Sequence, residues 1–175
     1  MSDNNKPTEE QLQAGSRAFE TVCSAIEELG LKCDIDEDEM RIHLEVAGED
    51  MPINIMFFVH PDREIVRMIS PMPYIVPKER RLDMAVALTF VNTRLINGSY
   101  DLDMKTGNLR FRLVESYAGS ELGTEAIKYL IIITNMTEDD YNDKLIMLNK
   151  NIINLKKFVS LITADDEDEE EEGED

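Results

Sequence analysis

The sequence predicts an α+β fold: an antiparallel sheet of about five strands with helices packed on it, in the order α-βββ-α-ββ-α(α). Three observations predict it. Apolar residues recur at helical spacing at the start, in the middle and at the end of the chain. Between those stretches, apolar and polar residues alternate in short runs. The links between neighbouring runs are too short for anything but hairpins.

Thr8-Glu-Glu-Gln11 is a capping box, in which the threonine hydroxyl accepts from the backbone three residues on and the glutamine reaches back. Leu12, Phe19, Val22, Ile26 and Leu29 follow at helical spacing, and Gly30 supplies a left-handed stop. Ile42, Leu44 and Val46 then alternate with Arg41, His43 and Glu45, the pattern of a strand buried on one face. Gly48-Glu-Asp50 turns the chain into a second strand, Ile53, Ile55, Phe57 and Val59. The intervening Met56 and Phe58 make that strand apolar on parts of both faces, which marks a central strand or a sticky patch. Pro61-Asp62-Arg63 turns again, and Ile65 to Ile69 forms the third strand. Pro71, Pro73 and Pro77 read as a stiff connection.

A second helix is expected from about Pro77 to Ile96, since proline suits a first helical turn. It has two apolar stripes: Leu82, Val86 and Phe90 on one side, and Met84, Leu88, Val91 and Leu95 on another. One sheet covers only one stripe. The second, Met84 to Leu95, is therefore expected to meet a second subunit, as a homodimer interface, or to be covered by the last helix. A hairpin follows, with Tyr100, Leu102 and Met104 on one strand, a Lys105-Thr-Gly-Asn108 turn, and Leu109, Phe111 and Leu113 on the other. Leu122, Ala126, Tyr129, Leu130 and Ile133 share a helical face. Thr137-Glu-Asp-Asp140 reads as a fresh helix start, because a helix dipole favours acids in its first turn. Tyr141, Leu145, Leu148, Ile152, Leu155, Val159 and Ile162 then form a heptad seam.

The chain has 175 residues and a net charge of −19, from 37 acidic and 18 basic residues. Such a field repels phosphates and anionic lipid, which argues against a nucleic-acid or membrane partner. Asp165 to Asp175, DDEDEEEEGED, holds ten of the acids, and without them the −19 falls to −9. So dense a like-charge block is expected to be disordered. No pure apolar run exceeds five residues, and Leu130 to Ile133 is a run of four, far short of the roughly 20 residues of a membrane span. The polar N-terminus, Met1 to Pro7, has no apolar stretch of an export signal. Cys23 and Cys33 form no CxxC motif. The expectation is a cytoplasmic protein with reduced thiols.

Residues for catalysis are scarce. The two histidines, His43 and His60, fall on different strands, and no nucleophile elbow, phosphate-binding glycine loop or dinucleotide fingerprint occurs. Asp34, Asp36, Asp38 and Glu45 imitate the ligand spacing of a calcium loop, but Glu39 stands where that loop needs glycine, and a strand follows where it needs a helix. They read as an acidic turn entering the sheet. No catalytic, cofactor-binding or metal residue is assigned.

The element order and the segment Val76-Pro77-Lys-Glu79-Arg80…Asn92…Gly98-Ser-Tyr100-Asp-Leu102-Asp103…Gly107-Asn-Leu109-Arg-Phe111-Arg112 resemble the YbjN family over about residues 10–150. Members are labelled bacterial sensory transduction regulators. The resemblance implies a fold similar to the class I chaperones of type III secretion, which pair through the helix corresponding to the second helix here. It also implies a protein that holds or regulates other proteins and needs no cofactor. The expected organisation is a disordered 1–7, a single domain over 8–162 with an extended C-terminal helix, and an acidic tail over 163–175. The expected function is a non-enzymatic, protein-binding module, chaperone-like or regulatory, acting in bacterial stress or signalling, with Met56 and Phe58 as its partner patch. The alternative is a signalling domain that senses a small molecule between sheet and helices.

Overall fold

The computed structural model describes residues 6–172, with side chains described as far as Ala164. The element order is α1 (Glu9–Glu28), β1 (Cys33–Asp36), β2 (Arg41–Val46), β3 (Ile53–His60), β4 (Ile65–Ile75), α2 (Arg81–Asn92), β5 (Ser99–Leu102), β6 (Asn108–Ser116), α3 (Thr124–Asn149) and α4 (Leu155–Glu172). The strands form one six-stranded sheet in the order β1-β2-β3-β4-β6-β5, and every neighbouring pair is antiparallel. The α+β class and the helices-on-a-sheet architecture are as the alternation predicts.

β2, β3, β6 and the first part of β4 alternate in burial. Ile42, Leu44, Ile53, Ile55, Phe57, Val66, Met68, Leu109, Phe111 and Leu113 are buried, and the residues between them are not. Because successive side chains point to opposite faces, this places the whole core on one side of the sheet. α1 packs over β3, and α3 over β3 and β6, on that side. Gly15 lets α1 approach closely, since a Cβ there would press on Pro61. The capping box forms as read: Gln11 N donates to Thr8 Oγ1 at 3.2 Å and Thr8 N donates to Gln11 Oε1 at 2.9 Å.

The sheet has six strands rather than five. Cys33–Asp36 is the additional edge strand, paired with β2 from Cys33 opposite Leu44 to Asp36 opposite Arg41. Its acids hid it, because they read as a turn. β4 also runs further than Ile69, through Pro71 and Pro73 to Ile75. Proline donates no ladder bond, and the register of β4 on β6 shifts between Pro71 and Ile75, where the chain accommodates both prolines.

α2 begins at Arg81, after a 3-10 turn over Lys78–Arg80, and holds the β5–β6 hairpin at both of its ends. At its start the Arg81 guanidinium donates to the carbonyls of Val76, Met104, Lys105 and Thr106 over 2.8–3.0 Å. At its end Asn92 Nδ2 donates to Tyr100 O at 3.1 Å, and Tyr100 N donates to Asn92 Oδ1 at 2.8 Å. Gly98, with φ of +81°, turns the chain where a side chain would strike the Phe111 ring.

Of the two outcomes expected for the second stripe of α2, cover by the last helix is the one observed, and the first stripe, not the second, is left in solvent. Met84, Leu88 and Val91 are buried within the single chain and Leu95 packs against the core, so this stripe offers no homodimer interface. α4 lies along α2, and its Phe158 and Ile162 join the same buried cluster. Leu82, Val86 and Phe90 form the exposed stripe, with Leu82 74% exposed.

The C-terminal region differs from the expected helix start and heptad seam. α3 is continuous through Thr137-Glu138, both buried, so no helix begins there. The seam breaks between Asn149 and Leu155, because Asn151 takes a left-handed φ of 59° that stops α3. Asn154 Oδ1 then accepts from Lys157 N at 2.9 Å, the N-terminal cap of α4. The two halves of the seam thus serve two helices that turn against each other. The acidic tail is entered by α4 as far as Glu172; its side chains, and the expected disorder of residues 1–5 and 173–175, lie outside the described residues.

These placements separate the two stripes by experiment. Leu88→Ala should cost about 2–5 kcal/mol in denaturant unfolding, by emptying space between α2 and its neighbours. Leu82→Ser should stay within about 0.5 kcal/mol of the wild type. Equal losses at both positions would overturn the assignment of faces.

Candidate partner-binding face

The residues that alternate with the core form the second face of the sheet, and none of them is fully buried. The register aligns them in rows. Asp36, Arg41, Phe58, Arg67 and Val114 lie across the sheet from β1 to β6. Asp34, His43, Met56, Ile69, Arg112 and Ser99 form the next row, from β1 to β5. Asp101 stands opposite Arg110 at the far edge.

This face is apolar at its centre. Met56, Phe58, Ile65 and Ile69 are half-buried, and Val114 is exposed. It is charged around that centre. Arg41 Nη2 meets Asp36 Oδ2 at 2.6 Å. Asp101 Oδ2 takes both Arg112 Nε at 2.8 Å and Arg110 Nη2 at 3.5 Å. The Arg67 guanidinium lies 5.0 Å from the Phe58 ring centroid, within cation–π range. His43 Nε2 is 3.2 Å from Asn54 Oδ1, and its Nδ1 is 3.7 Å from Asp34. His60 belongs to the same face; burial, then Arg67, push its pKa down.

The predicted partner patch, Met56 and Phe58, therefore lies at the centre of the open face. The predicted interface stripe, Met84, Leu88, Val91 and Leu95, lies on the far side, inside the core. Sequence reasoning missed Arg67, Arg110 and Arg112 as members of the patch, because which outward residues stand beside Phe58 depends on the register of β3 on β4 and of β4 on β6, and β6 lies about fifty residues further along the chain. Their alternation with buried residues was the available signal. The acids that imitate a calcium loop divide between β1 and β2, with Asp36 paired to Arg41. Both cysteines are free and half-buried, and burial first of all raises both thiol pKa values.

A second polar cluster lies inside. Glu138 on α3 is 2% exposed, and Ser70 of β4 faces it. Burial, the largest cause, with a smaller contribution from Asp139, pushes its carboxyl up to about 8. The Ser70 hydroxyl opposes that shift without closing a hydrogen bond, since Ser70 Oγ and Glu138 Oε1 both lack partners. Tyr74 and Tyr100 are raised by burial and then by Glu138. Tyr100 Oη donates to Thr137 O at 3.3 Å, while Tyr74 Oη has no partner. Glu138 is thus a protonated acid at neutral pH, held between helix and sheet.

Comparison with known proteins bears on the fold. No family model matches the chain. No curated protein matches it. Among solved structures, the chain is similar to YbjN from E. coli, described as a candidate transcription regulator, at a TM-score of 0.55 and 14% identity. The match covers 71% of this chain and 91% of that one. At this identity the likeness shows the fold, which is YbjN-like. No helix among the described residues is long and apolar enough to cross a membrane.

The buried acid sets a pH dependence. Its folded pKa lies above the ordinary 4.5, so its protonation favours the folded state fully below about pH 4.5. That contribution is lost as pH rises through 8. Glu138→Gln, neutral at every pH, should raise the melting temperature by several degrees at pH 9 relative to wild type. The gain should shrink towards pH 5, and a gain constant over pH 5–9 would show that titration of Glu138 plays no part.

Proposed function

We propose that this protein is a non-enzymatic protein-binding module, chaperone-like or regulatory, that docks its partner on the open face of the sheet. One observation carries the reading. A six-stranded sheet buries one face under its own helices and leaves on the other a group of apolar residues, Met56, Phe58, Ile65, Ile69 and Val114, set around Arg67. Exposed apolar area of this kind is costly in a monomer and is characteristic of surfaces that another protein covers. Methionine suits such a surface, since its unbranched side chain adapts to different neighbours.

The chemistry around these residues supports the same reading. The cations there hold carboxylates or an aromatic ring, and no histidine of the face is set against a nucleophile. The YbjN-like fold, shared with a candidate transcription regulator, fits a regulatory role. The charge of −19 disfavours direct contact with nucleic acid and favours control exerted through another protein.

Site-directed photo-crosslinking tests this in cells that make the protein. With p-benzoylphenylalanine at the position of Phe58, discrete adducts with a partner protein should form. The same group at the position of Leu12, exposed on α1, should give none of them. Identical adducts from both positions, or none from Phe58, would remove the open face as the docking surface.

A further inference from the structure

The open face also specifies the chemistry of what it binds. Arg67 stands near its middle, opposite Phe58 on one side and Val114 on the other. Its Nε is shut off from solvent and has no hydrogen-bond partner. Among the described residues it has no ion pair, whereas Arg41 is held by Asp36, and Arg110 and Arg112 share the single carboxylate of Asp101. Two guanidinium groups on one carboxylate, with Arg67 beside them, leave a local excess of positive charge on a protein whose net charge is −19. Burial, and after it Arg110, Arg112 and Arg63, disfavour the charged form of Arg67, so its surroundings repel it. The sealed Nε anchors the group, and the outer Nη end of this half-buried guanidinium, amid like charges, is a position that a carboxylate completes, because the fork matches it in shape and charge.

Resting on the reading of this face as a docking surface, we propose that its occupant is an extended acidic and apolar segment of a partner protein. One of its carboxylates pairs with Arg67. The flanking apolar side chains lie on Met56, Ile69 and Val114. An extended segment presents its side chains alternately, and so can set a carboxylate and apolar groups on the same sheet surface. The chain's own acidic run is a poor occupant, because Asp165 to Asp175 holds ten acids, one glycine and nothing apolar for these residues. Single-stranded nucleic acid fits worse. Its bases need aromatic platforms, and the centre of the face has one, Phe58, already covered by Arg67.

The test is a selection from a displayed library of random extended peptides on the full chain, followed by anisotropy titration of enriched peptides. Wild type, Arg67→Gln and a double variant, Met56→Ser with Phe58→Ser, are compared after circular dichroism shows each folded. Arg67→Met, which keeps the stem over the Phe58 ring, replaces Arg67→Gln if that variant fails to fold. Enriched peptides should combine Asp or Glu with apolar residues, and Arg67→Gln should weaken them about tenfold or more. Neutral or basic peptides that only the double variant rejects would overturn the carboxylate pairing and leave the docking surface standing. Peptides bound equally by every variant, or no enrichment, would overturn both. Oligouridylate bound more tightly than any peptide, and lost on Arg67→Gln, would make the face an RNA surface and overturn the proposal.

Discussion

The alternation of side chains along the strands is the constraint from which the other features of this structure follow. Ile42, Leu44, Ile53, Ile55, Phe57, Val66, Met68, Phe111 and Leu113 all meet on one face because each strand keeps its period of two through five antiparallel pairings. A slip of one residue in any pair would carry core residues to the surface and arginines to the core. The apolar side therefore fixes the register. The register in turn brings Arg67 beside Phe58 and Arg110 beside Asp101 on the opposite side. The open face is thus organised by forces that act on the other one.

The helices divide the remaining work. α1 and α3 cover the middle of the sheet, and α2 fastens its β5 end through Arg81 and Asn92. These two side chains bind backbone carbonyls and amides, so they fix the hairpin whatever its outward residues are. The outward arginines of β6, Arg110 and Arg112, are thereby free of any role in holding the hairpin and pair instead with Asp101. α4 closes the arrangement by folding back on α2 after Asn151. The turn lets one continuous apolar pattern seal a helix of the same chain, where an unbroken helix would have projected its seam towards another molecule.

Glu138 introduces polarity into the interior next to this apolar core. Its carboxyl, raised to about 8, sits with Ser70 and Tyr74, whose hydroxyls lack partners. Buried polar groups without partners weaken packing locally. This seam between α3 and β4 is accordingly the part of the interior whose stability follows pH.

Much of this was legible in the chain. The capping box at Thr8, the alternation of β2 and β3, the turn at Gly107 and the outward placement of Met56 and Phe58 are set by neighbours close in sequence, and local chemistry suffices to read them. The edge strand at Cys33 and the extension of β4 past Pro71 escaped, because their acids and prolines disfavour strands and only pairing with β2 and β6 overrides that preference. Which stripe of α2 is covered could not be read locally either, since both have helical spacing and similar hydrophobicity. The choice was made by the turn at Asn151, which sends α4 back over Met84, Leu88 and Val91 and leaves Leu82 in solvent. Arg67 shows the same division. The sequence by itself determined that it faces away from the core, through the period of two. Only the tertiary structure decided that Phe58 lies beneath it and that no carboxylate of the described residues reaches it, because the first depends on the register of the β3–β4 hairpin and the second on the pairing of β4 with β6, a segment far along the chain.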